Sequence, residues 1–232
     1  MQANFDFAPP PIPSPEFKAK GTDYKLTGTY ISISGKGIHL SGGGGDISFR
    51  KAVTDRLAWD FQLGGMALPG TIDLKGVGRV DVRLVSLGAS TDIECLFIPK
   101  RGVSLIGFVG LRVPYTSMSG RVNYEGTEYK GEVSVVMVGI PFGMQAGLSA
   151  GRSWTVTPFA TALPFIEGFV TAKIQAADEI GAARYKVDPF MSVNAGVDLL
   201  YVPWDLSLGA LFQHAMSASD QNKEYQAVML TT

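Results

Sequence analysis

Hydrophobic and polar residues alternate along the stretch from Lys186 to His214, and they do so on both sides of a short turn. Apolar side chains occupy every second position up to Tyr201, and mostly polar or small residues occupy the positions between. After Val202 and Pro203 the same alternation restarts and continues towards His214. Successive side chains of a β-strand point to opposite faces, so this period predicts a hairpin of two strands, each with one apolar and one polar face.

This hairpin has the properties of a membrane-spanning sheet. Each strand has roughly ten residues, which is enough to cross a bilayer when the strand is tilted. The polar face carries carboxylates and small residues, where a soluble barrel would place its packed core. The pattern therefore predicts a barrel that is apolar outside and polar within.

Alternating segments recur along the chain from Tyr24, and they are joined alternately by short turns and by longer polar loops, among them 35–46 and 114–130. This arrangement is typical of outer-membrane barrels. We predict an all-β fold, an antiparallel up-and-down transmembrane β-barrel of about ten strands with both termini on the periplasmic side. The predicted strands are 24–34, 47–53, 57–63, 77–97, 103–113, 132–150, 154–172, 186–201, 204–214 and 225–232.

Residues 132–150 also permit a second interpretation, a transmembrane helix. No residue from Val133 to Gly151 is charged, and the segment is long enough to span a bilayer as a helix. Pro141, several glycines and the alternation of large and small residues around that proline favour a strand. We therefore expect a strand here.

Charged residues on the polar parity predict a network inside the barrel. In 77–97 the basic and acidic positions fall on different parities, so we expect a β-bulge between Ser86 and Ser90 that turns all of them inward. Because an unpaired charge in a narrow lumen is costly, charges of both signs should pair across the interior and block it. Binding of a cation by converging carboxylates is the alternative. The predicted network consists of Asp60, Arg79, Asp81, Arg83, Asp92, Glu94, Arg112, Asp188 and Asp198.

The three tryptophans share a position relative to the predicted turns. Trp59, Trp154 and Trp204 each follow a short turn by a few residues. Indole rings favour the headgroup level of a membrane. We therefore predict one aromatic girdle at a single interface.

Composition divides the chain into two parts. Residues 1–20 are rich in proline, which favours extended structure and cannot join a sheet ladder, and residues 21–232 form the predicted barrel. The first part is either a plain periplasmic segment or a docking strap for a periplasmic protein, with Phe5, Phe7 and Phe17 as anchors. A hydrophobic fraction of 46% with 18% charged residues suits a barrel, because only alternate residues face lipid.

The sequence offers little for chemistry. Cys95 is the only cysteine, which excludes an intrachain disulfide and a thiolate cluster, and His39 and His214 are the only histidines. His214 and Ser217 superficially match the Ser–His pair of outer-membrane lipid hydrolases, but their spacing places them on opposite strand faces. An omptin-like protease would need acidic partners beside a histidine, and residues 41–45 lack the Lys-Ser/Thr of a phosphate loop. We expect no catalytic site, no metal, no cofactor and, with a net charge of −1, no nucleic-acid partner.

Three sequence segments resemble segments of a known class of proteins. TDRLAWDFQLGG, RGVSLIGFVGLRV and FGMQAGLSAGRSWTVTP combine a tight turn, an aromatic residue and a strand of small residues. In this sequence pattern residues 21–232 resemble small bacterial outer-membrane β-barrel proteins of the OmpA and OmpW type. The resemblance implies a location in the outer membrane with its lipid as partner. The start at Met1 has no signal-peptide pattern, so we expect a chain that begins near its mature end, with a cytoplasmic protein as the alternative.

Three functions remain open at this point. The first is a non-enzymatic structural and interaction module of the envelope with at most a narrow lumen. The second is a porin-like channel for small solutes. The third is a soluble β-barrel that binds a lipophilic molecule, and solubility without detergent would distinguish it from the other two.

Overall fold

A computed structural model describes residues 21–35, 37–75, 78–100, 102–124, 126–176, 179–204, 206–217 and 225–231. In these ranges the chain forms strands and one short 3-10 helix, Val202–Trp204. The strands are β1 (Thr22–Gly35), β2 (Ile38–Ala52), β3 (Leu57–Leu74), β4 (Gly78–Lys100), β5 (Val103–Tyr124), β6 (Thr127–Gly139), β7 (Phe142–Ala150), β8 (Trp154–Ala176), β9 (Glu179–Lys186), β10 (Phe190–Tyr201), β11 (Leu206–Ser217) and β12 (Tyr225–Thr231).

All strands belong to one antiparallel sheet whose order is β1-β2-β3-β4-β5-β6-β8-β10-β11-β12. β7 pairs with β5 and β8, so β6 and β7 occupy one position in the sheet, interrupted at Ile140 and Pro141. β9 likewise pairs with β8 next to β10, with an interruption at 187–189. Pro141 and Pro189 lack the N–H that a ladder requires. The sheet therefore has ten positions in an up-and-down order, which confirms the prediction of an all-β, antiparallel up-and-down fold of about ten strands.

One face of this sheet is buried, and we call it the inner face. Among the residues that the structure describes, no second layer packs on the sheet, so the sheet itself must curve around its inner face, as in a barrel wall. Side chains on the inner face alternate with those on the outer face along each strand. Among the described residues the buried polar side chains are Asp46, Asp60, Gln62, Ser86, Ser90, Asp92, Glu94, Ser104, Arg112, Gln145, Thr155, Thr157, Thr161, Ser192 and Asn194.

The segment 132–150 forms the end of β6 and the whole of β7, as the alternation predicted. In the described part of the chain we find no helix with the length and hydropathy that a membrane span requires.

The two long loops of the prediction are wrong. Residues 38–46 lie in β2, and residues 114–124 and 127–130 lie in β5 and β6. Gly37 lies between β1 and β2 and Gly126 between β5 and β6, and both have positive φ, 72° and 82°. Gly42 and Gly44 fit a strand because backbone approaches them closely: a Cβ on Gly44 would lie 2.2 Å from the carbonyl oxygen of Gly65. The strands are therefore longer than predicted, up to 23 residues for β4 and β8.

The predicted bulge between Ser86 and Ser90 is also wrong. β3 and β4 pair without interruption from Leu57 opposite Cys95 to Leu74 opposite Gly78. The irregularity of β4 lies instead between Leu96 and Ile98, where its pairing with β5 shifts.

The two ends of the sheet differ. We call the end that carries the β2–β3, β4–β5, β7–β8 and β10–β11 connections the tryptophan end, and the opposite one the far end. Near the far end the inner face is apolar, with the buried cluster Leu40, Met66, Leu68 and Leu84. Towards the tryptophan end it is polar and charged.

Candidate functional site: the polar inner face

A charged cluster lies on the inner face of β2, β3 and β4. Arg50 stands directly opposite Asp60, and Asp60 stands opposite Asp92. One step towards the far end, Nε2 of Gln62 donates a hydrogen bond to Oδ1 of Asp46 at 2.9 Å. Since each strand contributes a polar group at the same level, the cluster ties three adjacent strands together.

One ion pair of the cluster spans two strand intervals. Nε of Arg50 on β2 donates to Oε2 of Glu94 on β4 at 2.6 Å. Glu94 stands opposite Ala58 on the intervening strand, and the small Ala58 side chain leaves room for the guanidinium to cross. Glu94 is 2% exposed, so its charge depends on this partner.

Gly110 makes room for the carboxylate of Asp92. The two residues are opposite each other on β5 and β4, and a Cβ on Gly110 would lie 2.0 Å from Oδ1 of Asp92. Arg112, the next inward residue of β5, stands opposite Ser90 and is buried. The carboxylate thus lies flat over a strand that carries no side chain at that level.

Large side chains fill the interior beside the charges. The ring of Phe108 lies over Gly143, and the ring of Phe159 lies over Gly196. Gln145, which is 2% exposed, stands opposite Ile106 on one side and opposite Phe159 on the other. These rings and the charged cluster thus lie side by side on the inner face.

The predicted network divides into three groups. Asp60, Asp92, Glu94 and Arg112 are buried on the inner face, and Asp198 lies on the same face, half-buried and opposite Thr157. Asp188 is exposed in the interruption between β9 and β10. The inward orientation expected for the other three is wrong, because the uninterrupted β4 places them on the outer face, exposed: Arg79, Asp81 and Arg83.

Sequence reasoning missed the part of the cluster on β2. Asp46, Ser48 and Arg50 alternate with Ile47 and Phe49, which is the signal that could have identified an inner face. The signal was missed because the glycines before Asp46 have no side chains that could continue the alternation, and a run of glycines suggests a loop. In the described part of the chain no group of three or more His, Cys, Asp or Glu side chains is placed to hold a metal ion.

The three tryptophans are exposed at the tryptophan end. Trp154 and Trp204 both contact Tyr201, with ring centroids 4.9 Å and 5.4 Å apart. Trp59 contacts Phe49 at 5.6 Å, and its Nε1 donates to Oγ1 of Thr91 at 2.6 Å. Aromatic side chains thus gather around the short turns on two parts of the outer face.

Comparison with known proteins gives no family. No protein-family model matches the chain, and no curated protein matches it. Solved structures that it resembles include the RagAB peptide importer in its closed-closed state, with 13% identity over 89% of this chain and a TM-score of 0.42. The open-open state gives 12% identity over 90% and a TM-score of 0.42, and a further structure of the RagAB peptide transporter gives 13% over 89% and 0.38. The chain spans 32% of the length of those chains, and TM-scores this low support no functional assignment.

Proposed function

We propose that this chain is a membrane-spanning β-barrel of the bacterial outer membrane, a non-enzymatic structural and interaction module with a filled, narrow lumen. One observation carries the proposal: towards the tryptophan end the sheet buries charged side chains such as Asp60, Asp92 and Glu94 on its inner face, while large apolar side chains are exposed on its outer face. A soluble β-protein has the opposite distribution, because burial of apolar surface is its main source of stability. In a bilayer, lipid covers the outer face.

The dimensions of the apolar outer surface support this placement. On β3, β4 and β5 the outward positions within 57–69, 85–97 and 103–115 carry no charged residue, and we call this surface the apolar belt. Each stretch measures roughly 40 Å along its strand and about 30 Å in height at a tilt of about 45°. That height equals the thickness of the hydrocarbon core of a bilayer, about 30 Å.

The large and charged side chains on the inner face favour the module over a porin-like channel. Water-filled barrels need about sixteen strands, whereas about ten enclose little more than their own side chains. The ion pair of Arg50 with Glu94 and the rings of Phe108 and Phe159 lie in that space. Such a lumen passes small ions intermittently at most.

Refolding tests the proposal directly. The denatured chain is diluted into buffer alone, into detergent micelles and into phosphatidylcholine vesicles, and its migration in SDS gels is compared with and without boiling. We expect aggregation in buffer, and in detergent and vesicles a folded form that migrates differently before boiling. A monodisperse folded monomer in plain buffer would overturn the proposal in favour of a soluble lipophile-binding barrel.

The proline-rich segment 1–20 lies outside the described residues, and its role as a strap for a periplasmic protein remains part of the proposal. Its aromatic residues Phe5, Phe7 and Phe17 would anchor the partner. Pull-down from a periplasmic extract compares the full chain with a variant in which the three are serine. Equal recovery of every partner by both chains would leave this segment without a docking role.

A further inference from the structure

Basic side chains lie on the outer face where the apolar belt ends towards the far end. Arg83 is the first outward residue of β4 beyond Val85, and it is exposed. On β8 the outward residues that follow Glu167 are Phe169, Thr171 and Lys173. The adjacent β9 places Arg184 opposite Thr171. The first charged residues beyond the apolar surface on β4 and β9 are therefore cations, whereas on β8 the exposed Glu167 precedes Phe169 and Lys173.

Lys173 and Arg184 form a close pair. Lys173 stands opposite Ala182, and Arg184 is two residues further along the same strand. Diagonal neighbours of this kind have Cβ atoms about 7 Å apart, within reach of one anion for two long side chains. The guanidinium of Arg184 lies over the ring of Phe169, 4.1 Å from its centroid. This contact holds the positive charge beside the last outward apolar side chain of β8 on the far-end side.

The nearby acidic residues are mostly engaged elsewhere. Glu167 pairs with Lys186 at 3.7 Å, and Glu128 pairs with Lys130 at 3.6 Å. Glu132, opposite Lys173, accepts a hydrogen bond from Ser117 at 3.1 Å.

The cations themselves lack such partners. In the part of the chain that the structure describes, Arg83, Lys173 and Arg184 form no ion pair. Exposed cations that form no ion pair, at the height where lipid headgroups begin, attract phosphate.

We propose that this edge of the outer face binds the phosphate groups of anionic membrane lipids, with Lys173 and Arg184 as a clamp and Arg83 as a second contact. The inference rests on the proposed membrane-spanning function. It adds a lipid preference and an orientation, because the far end then faces the leaflet richer in anionic lipid.

The test measures lipid preference around the folded chain in vesicles. Spin-labelled phosphatidylglycerol and spin-labelled phosphatidylcholine are compared for the fraction immobilised by the protein. We expect the protein to immobilise a larger fraction of phosphatidylglycerol than of phosphatidylcholine. In the triple variant Arg83→Gln/Lys173→Gln/Arg184→Gln the ratio of these two fractions should fall about threefold or more. A charge-retaining variant, Lys173→Arg/Arg184→Lys, should keep it, and high salt should weaken it.

The matched control removes three exposed cations from the tryptophan end, Lys51→Gln/Arg56→Gln/Arg152→Gln. We expect this variant to keep the preference, and the boiling-dependent gel shift checks that every variant is folded. Equal losses in both triple variants, or no preference in the original chain while both lipids are immobilised, would refute the phosphate clamp and leave the membrane-spanning function standing. Immobilisation of neither lipid would refute both.

Discussion

Arg50 and Glu94 bridge β2 and β4 across the intervening β3, with 2.6 Å between Nε and Oε2. The bridge is possible because the sheet is concave on this side and because Ala58, opposite Glu94, has a small side chain. A link over two strand intervals fixes curvature as well as register. The charged cluster is therefore a structural element of the wall.

Removal of Arg50 should destabilise the fold. Arg50→Met leaves the buried carboxylate of Glu94 without its partner, and we expect a loss of about 3 kcal/mol in the free energy of unfolding. The double variant Arg50→Met/Glu94→Met should regain most of it. Urea titration in detergent micelles measures this, with Arg56→Met in an exposed turn as the control, expected within about 0.5 kcal/mol. A single variant as stable as the control would mean that the bridge contributes nothing.

Arginine substitution on β5 distinguishes lipid from water at the outer face. Val109 lies in the middle of the apolar belt and is 50% exposed, whereas Ser119 is on the same face of the same strand beyond the belt. In a bilayer Val109→Arg should cost about 2 to 4 kcal/mol and Ser119→Arg close to nothing. In water both should fall within about 0.5 kcal/mol. Unfolding titrations in vesicles give the two values, and equal values would argue against lipid contact at Val109.

Alternation predicted the hairpin of β10 and β11 well. Val197 lies opposite Ala210 and Leu199 opposite Leu208, all facing outward as predicted. The rule works here because the inward positions from Ser192 to Asp198 are all polar or small, while the outward positions between them are apolar. The register follows from the short turn after Tyr201.

The alternation rule gave a wrong orientation for the charged residues at the start of β4. It treated every charged residue on a strand as facing inward, which holds only inside the bilayer. β4 continues beyond the belt, where outward charges such as Arg79 and Arg83 are solvated at no cost, so no bulge is needed. The loop predicted at glycines 42–45 was wrong for another reason, since a residue without a side chain carries no information on which face it occupies. Neither the crossing of Arg50 to Glu94 nor the packing of Asp92 over Gly110 is encoded in a local pattern.

Two glycine substitutions test the packing of the inner face. In Gly110→Ala the new Cβ would lie 2.0 Å from Oδ1 of Asp92 and 2.1 Å from the carbonyl oxygen of Thr91, so we expect a loss of about 1 to 3 kcal/mol. A Cβ on Gly88 would meet no atom within 4 Å, and Gly88→Ala should be neutral or stabilising by up to about 1 kcal/mol. Urea titrations under identical conditions compare the two. Equal stability would show that Asp92 can move aside without cost.

Tryptophan fluorescence tests the predicted girdle. Three variants retain a single tryptophan each, Trp59, Trp154 or Trp204, with phenylalanine at the other two positions. Lipids brominated at different depths should quench all three most strongly near the headgroups, because indole rings favour that level. Maximal quenching at clearly different depths would place the tryptophan end at more than one level.

The last prediction concerns conductance. The proposed filled lumen predicts that the unmodified chain in planar bilayers gives small, intermittent currents at most. Phe159→Ala removes a buried ring that lies over Gly196, and we expect a measurable rise in conductance together with a loss of about 3 to 5 kcal/mol in stability. The control is Arg79→Ser/Arg83→Ser, which changes only the exposed outer face and should leave the current unchanged. Large, steady currents from the unmodified chain would contradict the filled lumen and favour a porin-like channel, and a rise in the control would mean that these arginines line the conducting path after all.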